Sequence, residues 1–158
     1  MTIAKNAVVH STITLERTYA ATPERVFAAW ADPKTKRRWF AEGEGWQVEA
    51  FEMDFRVGGV EHSRFRGSGE VVFGNDTIYQ DIVPGQRIVS AYTMSAGERR
   101  ISASLATVEM WPSGSGTRLV FTEQAAFFDG ADGAEMREQG WRVLLGKLGE
   151  QLAAPQSS

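Results

Sequence analysis

The stretch Val60 to Arg66 holds the residues best suited to chemistry, because their types alternate with the two-residue period of a strand. One set is Val60, His62, Arg64 and Arg66; the other is Glu61, Ser63 and Phe65. Only one set can face a core, and the arginines send the first to solvent. A carboxylate in the inward set is costly without a partner, so Glu61 must meet a cation or a ligand donor, or take up a proton. The alternative is that Glu61 sits at a wet rim where the strand begins. Parity also groups Tyr92 with Ile88, Ser90 and Met94, and Tyr79 with Thr77 and Asp81. Parity therefore groups Glu61, Ser63, Tyr79 and Tyr92 as inward polar residues, and where a pocket lies against that face they are expected to form its polar end, orienting a hydroxyl or amine. In a catalytic version, a cyclase, dehydratase or hydrolase, Glu61 or Asp81 is the base and Tyr79 or Tyr92 the donor. His62, on the opposite parity, reads as a surface residue.

Composition removes much other chemistry. The chain has 158 residues, no cysteine and only His10 and His62, so thiolate catalysis, disulfides, Cys-based zinc sites and histidine-rich metal sites are excluded and no metal or cofactor is expected. No recognisable catalytic constellation remains. The net charge of -3 argues against a phosphate-backbone partner, and the basic run Lys34 to Arg38 reads as a solvated helix face, so nucleic acid is not expected. Nowhere do eighteen apolar residues run together, and His10, Ser11 and Thr12 interrupt the apolar start Ala7-Val8-Val9. Membrane insertion is thus not expected, and the cytoplasm is the expected location. The length suits one domain over residues 1–158, ordered from about residue 8 to 153, with a disordered tail Ala153 to Ser158.

These side chains need a scaffold. Val9, Ile13, Leu15 and Tyr19 alternate with polar residues and predict a half-buried strand. Thr22-Pro23 starts a short helix carrying Val26, Phe27 and Trp30, and Asp32-Pro33 stops it and starts a second that presents Trp39 and Phe40. From Trp46 to Thr93 several strands are expected, separated by turns at Gly58-Gly59, Gly67-Ser68-Gly69, Gly74-Asn75-Asp76 and Pro84-Gly85. Strands Arg100 to Trp111 and Thr117 to Gln124 follow. Residues 133–153 then place Met136, Trp141, Leu144, Leu145, Leu148 and Leu152 on one helical face, with Glu135, Arg137, Glu138, Lys147 and Glu150 elsewhere on the wheel. An antiparallel sheet with one apolar face needs a cover, and this helix is the only element long enough. Among the aromatics, Phe27, Trp30, Phe73 and Trp111 read as simple packing.

In this order the segments resemble the activator-of-heat-shock-ATPase-like branch of the START/polyketide-cyclase (SRPBCC) superfamily. The resemblance rests on Glu16 to Phe27, Trp30-Ala31-Asp32-Pro33, Arg38-Trp39-Phe40, Met53 to Gly59, Ile82 to Val89, Gly116 to Leu119, and Gly140-Trp141 leading into Leu145 and Leu148. It implies an α+β helix-grip fold, a curved antiparallel sheet wrapped around a long C-terminal helix, with a cavity between them for a small apolar ligand such as a lipid or polyketide-like molecule. It places Trp39, Trp46, Phe55, Phe65, Tyr79, Tyr92, Phe121, Trp141 and Leu145 near that cavity, and puts Glu61 and Ser63 at wall positions usually held by large apolar residues. It implies no conserved catalytic set. A chaperone contact is a further expectation of the family, through Trp39-Phe40 and the basic run or a sheet edge. The eukaryotic co-chaperones carry a separate domain ahead of the similar one, whereas about eight residues precede the first strand here, so the expectation is weighted toward ligand binding. Monomer and homodimer both remain open.

Overall fold

A computed structural model of the chain describes residues 7–154; Lys5, and residues 155–158 of the tail read as disordered, lie outside the described residues. The elements run β1 (Val8–Tyr19), α1 (Pro23–Ala31), α2 (Pro33–Lys36), a π-helical turn (Arg37–Ala41), β2 (Gln47–Met53), β3 (Val60–Arg66), β4 (Val72–Val83), β5 (Arg87–Ala96), β6 (Arg99–Ser113), β7 (Gly116–Phe128) and α3 (Ala134–Ala153). All seven strands form one antiparallel sheet in the order β1-β7-β6-β5-β4-β3-β2. This is the curved sheet and C-terminal helix of a helix-grip architecture.

β1 and β2 lie at opposite edges of the sheet, so the segment between them must cross from one side to the other. The helical insert makes that crossing. Thr22 caps α1 by accepting a hydrogen bond from the Arg25 amide at 3.3 Å, with Pro23 at the first helical position. Asp32 then ends α1 and caps α2, accepting from the Thr35 amide at 3.0 Å and its hydroxyl at 2.6 Å. Those hydrogen bonds hold its carboxyl below the ordinary carboxylate range.

The inner face of the sheet carries Ile13, Leu15, Tyr79, Ile88, Val108, Met110, Leu119 and Phe121, and α3 covers it with Trp141, Leu145, Leu148 and Leu152. A polar fastening accompanies this packing: the Tyr19 hydroxyl donates to the Leu145 carbonyl at 2.8 Å, and burial pushes that phenol up to about 12, keeping it a donor. Gly116 opens β7 where a Cβ would come 2.2 Å from the Tyr19 carbonyl oxygen, so only glycine lets β1 and β7 meet there.

The expected turn at Gly74-Asn75-Asp76 is instead continuous strand, paired as Gly74↔Ser95 and Asp76↔Thr93. The reason is a crossing side chain. Arg64 passes over Gly74, where a Cβ would be 2.9 Å from its Nη1, and pairs with Asp76 at 2.9 Å. Val9 and Trp111 are exposed rather than packed, Trp111 because its parity is opposite to buried Val108 and Met110. Ala153 still belongs to α3. No helix among the described residues is long and apolar enough to cross a membrane.

Candidate functional site

Two one-turn devices bring a cation under the sheet. The Asp32 cap fixes α2, and the π-helical turn that follows carries Trp39 and Phe40 inward, leaving Lys36 at the junction. Lys36 Nζ donates to Glu61 Oε1 at 2.7 Å, and the Tyr79 hydroxyl donates to the same oxygen. Lys36 also reaches the Tyr79 oxygen at 3.4 Å and lies 4.7 Å from the Phe40 ring centre. Glu61 is 1% exposed and Lys36 6%, so each charge replaces lost hydration with the other. Burial, then the neighbouring Glu61 charge, pushes the Tyr79 phenol far above its ordinary value; it stays a neutral donor.

This cluster borders a chamber of about 30 Å³, with Trp30, Phe55, Asn75, Tyr92, Phe121 and Trp141 among its walls. That volume suits one water or one functional group of a larger molecule. Trp30 Nε1 and Ser63 Oγ are buried without a hydrogen-bond partner among the described residues.

A second polar cluster joins α3 to the sheet. Arg137 donates to Glu123 Oε2 at 2.8 Å, to the Tyr92 hydroxyl at 3.0 Å and to Ser102 at 2.7 Å, and also meets Asp132. Tyr92 donates to Glu123 Oε1, which also accepts from Trp141 Nε1 at 3.0 Å. Burial and the Glu123 charge raise the Tyr92 phenol despite the opposing Arg137.

Beyond the small chamber lies an open cavity of about 630 Å³ between α3 and β3 to β6. Its walls are mostly apolar: Trp46, Phe65, Phe73, Met94, Ile101 and Leu144. Phe40, Asn75, Tyr92 and Trp141 border both spaces. Met136 and Val143, 71% and 64% exposed, mark the mouth.

Of the residues expected at the cavity, Trp46, Phe65, Tyr92 and Trp141 line the large space, and Phe55, Glu61, Tyr79 and Phe121 the small one. Trp39, Ser63 and Leu145 are buried but lie behind the walls; Trp39 packs edge-on to Trp30 at 4.7 Å and donates to the Ala29 carbonyl. Several expectations are corrected. Lys36 is buried rather than on a solvated face, and Glu61 is enclosed rather than at a wet rim. Asp81 leaves the tyrosine face because a bulge between Tyr79 and Asp81 shifts the register; it pairs with Arg87 at 2.7 Å on the outside. Phe73 and Trp30 line space as well as pack, Met136 is exposed, and Arg137 is buried.

Lys36, Glu123 and Arg137 are the residues of the two buried polar clusters that the sequence reading missed, yet each left a signal. Glu123 shares strand parity with Leu119 and Phe121, Arg137 stands four residues before Trp141 and eight before Leu145, and Lys36 precedes Trp39 and Phe40 by three and four. Charge alone hid them.

The sequence matches the model of one family, described as activator of Hsp90 ATPase homolog 1-like protein, over residues 20–153. Among solved structures, Mll3558 protein from Rhizobium loti is 54% identical, with 92% of this chain and 99% of that chain covered and a TM-score of 0.86. A protein from Rhizobium leguminosarum is 41% identical over 94% and 98% of the two chains, TM-score 0.90. Protein CV1439 from Chromobacterium violaceum is 28% identical over 91% and 98%, TM-score 0.77. No curated protein matches the sequence.

Proposed function

We propose that this chain, which belongs to the activator of Hsp90 ATPase homolog 1-like family, binds a small apolar molecule in the cavity between α3 and the sheet. The observation that carries this reading is the cavity of about 630 Å³, walled by aromatic and aliphatic side chains and bordering a small polar chamber. Small-molecule sites usually have roughly 300–1,000 Å³ and a few convergent polar groups among apolar walls. Native mass spectrometry of freshly purified protein with lipid and metabolite extracts tests it. A retained mass that disappears in Ile101→Trp, which fills the cavity, is the expected result; retention of nothing across broad extracts overturns the reading.

A second reading, acid-base catalysis on an apolar substrate, is favoured by Glu61 standing in hydrogen-bond contact with Tyr79 on the chamber wall. Turnover of a bound metabolite that stops in Tyr79→Phe while binding persists would establish it. A co-chaperone-like contact is supported by the family match alone; Trp39 is buried, so such a contact would use Phe40, the rest of the insert or a sheet edge.

A further inference from the structure

The small chamber is built as a charge-balanced socket. Lys36 and Glu61 cancel one another, and the remaining hydrogen-bonding capacity is mixed. Glu61 Oε1 accepts from both Lys36 and Tyr79, while Oε2 makes no hydrogen bond among the described residues. Of the three protons on an ammonium, Lys36 directs one at Glu61 and one at the Tyr79 oxygen, which leaves one. Asn75, on the wall shared by both spaces, accepts from Thr77 at 2.8 Å through Oδ1, and its amide nitrogen is unpaired among the described residues. Trp30, another wall residue, has a buried Nε1 with no partner among the described residues. The chamber therefore offers an acceptor and several donors in a volume that holds only a functional group.

An ionic headgroup fits this arrangement poorly. A carboxylate placed there leaves a net negative charge in a largely buried site, and an ammonium leaves a net positive one. The other cations on the cavity walls are already engaged: Arg137 by Glu123 and Asp132, and Lys147, at the mouth, by the Glu42 carbonyl. A ketone or hydroxyl satisfies the free groups without adding charge.

We infer that the ligand is an uncharged apolar molecule bearing a carbonyl or hydroxyl, whose polar end enters the Lys36–Glu61–Tyr79–Asn75 socket while its apolar body fills the larger cavity. This rests on the cavity-binding reading above and narrows it to one ligand class, excluding fatty acids and amines.

Isothermal titration of acetonaphthone, naphthoate, naphthylmethylammonium and naphthalene, all of one ring size, tests the socket at neutral pH. The ketone is expected to bind at least roughly tenfold more tightly than either ion, since each ion adds an unbalanced buried charge. In Glu61→Gln, Lys36 loses its counter-charge and the preference is expected to shift toward naphthoate by a similar factor. Asn75→Ala, which leaves the ion pair whole, is expected to weaken the ketone roughly fivefold while naphthalene is unchanged, as for loss of one neutral hydrogen bond. This variant carries the test should Glu61→Gln not fold. Equal binding of ketone and ions in the parent protein overturns the socket but leaves the cavity reading standing. An unchanged ketone affinity in Asn75→Ala also overturns it. Binding of no probe overturns the cavity reading and the socket together.

Discussion

Lys36 Nζ and Glu61 Oε1 meet at 2.7 Å, joining the insert that crosses the sheet to a strand near the far edge. The pair ties the crossing segment to the sheet at the inner end of the cavity, so its loss should be felt in stability as well as in binding.

Replacing Lys36 by Met leaves the Glu61 carboxylate buried without its cation, and a cost of about 3–5 kcal/mol is expected. The double variant Lys36→Met with Glu61→Leu should recover most of it, because both desolvation penalties disappear. Urea unfolding monitored by tryptophan fluorescence measures both. Equal destabilisation by the single and double variants would contradict the pairing.

Arg137→Met should likewise cost about 3–5 kcal/mol, since Glu123 is fully buried and would keep only neutral donors. The first turns of α3, which this arginine holds to β6 and β7 through Ser102 and Glu123, should exchange amide hydrogens faster than the turns around Leu148. Hydrogen exchange read by mass spectrometry separates the two ends of the helix.

Leu145→Ala removes a fully buried side chain that touches neither space directly. A loss of about 2–5 kcal/mol is expected from the cavity it leaves. Affinity for acetonaphthone should stay within about twofold of the parent, because uniform core packing rather than a wall contact is lost. Calorimetry of unfolding and of binding on the same sample checks both halves.

The acid limb of stability should depend on Asp76. Burial raises its carboxyl, but hydrogen bonds from Arg64 and His62, and their charges, outweigh burial and hold it below the usual value. Between that lowered value and the ordinary one of about 3.9 the unfolded chain binds more protons, so stability rises with pH there. The contribution is present above the ordinary value and is lost as pH falls through the depressed one. Asp76→Asn should flatten this segment of a plot of urea midpoint against pH.

Period and turn chemistry made most of the fold legible. Glu61, Ser63 and Phe65 could be placed inward because Arg64 and Arg66 demanded the other face, and the caps at Thr22 and Asp32 announced both helices. What stayed hidden were buried charges, since Lys36, Glu123 and Arg137 are stable inside only through partners distant in sequence. The bulge after Tyr79 was invisible for a related reason: nothing near Gln80 signals an extra residue until β5 is laid beside it. The two-part cavity depends on how α3 settles over β3 to β6, which alternation alone does not specify.

The order of the sheet has a kinetic consequence. β2 to β7 follow one another as adjacent hairpins and can zip from their turns, but β1 finds its partner only through pairs such as Val8↔Phe128 and Tyr19↔Thr117. Closing so long a loop adds entropy cost before any contact offsets it. Refolding should therefore be limited by the docking of β1, with the edge of β7 left open to other chains until that step is complete.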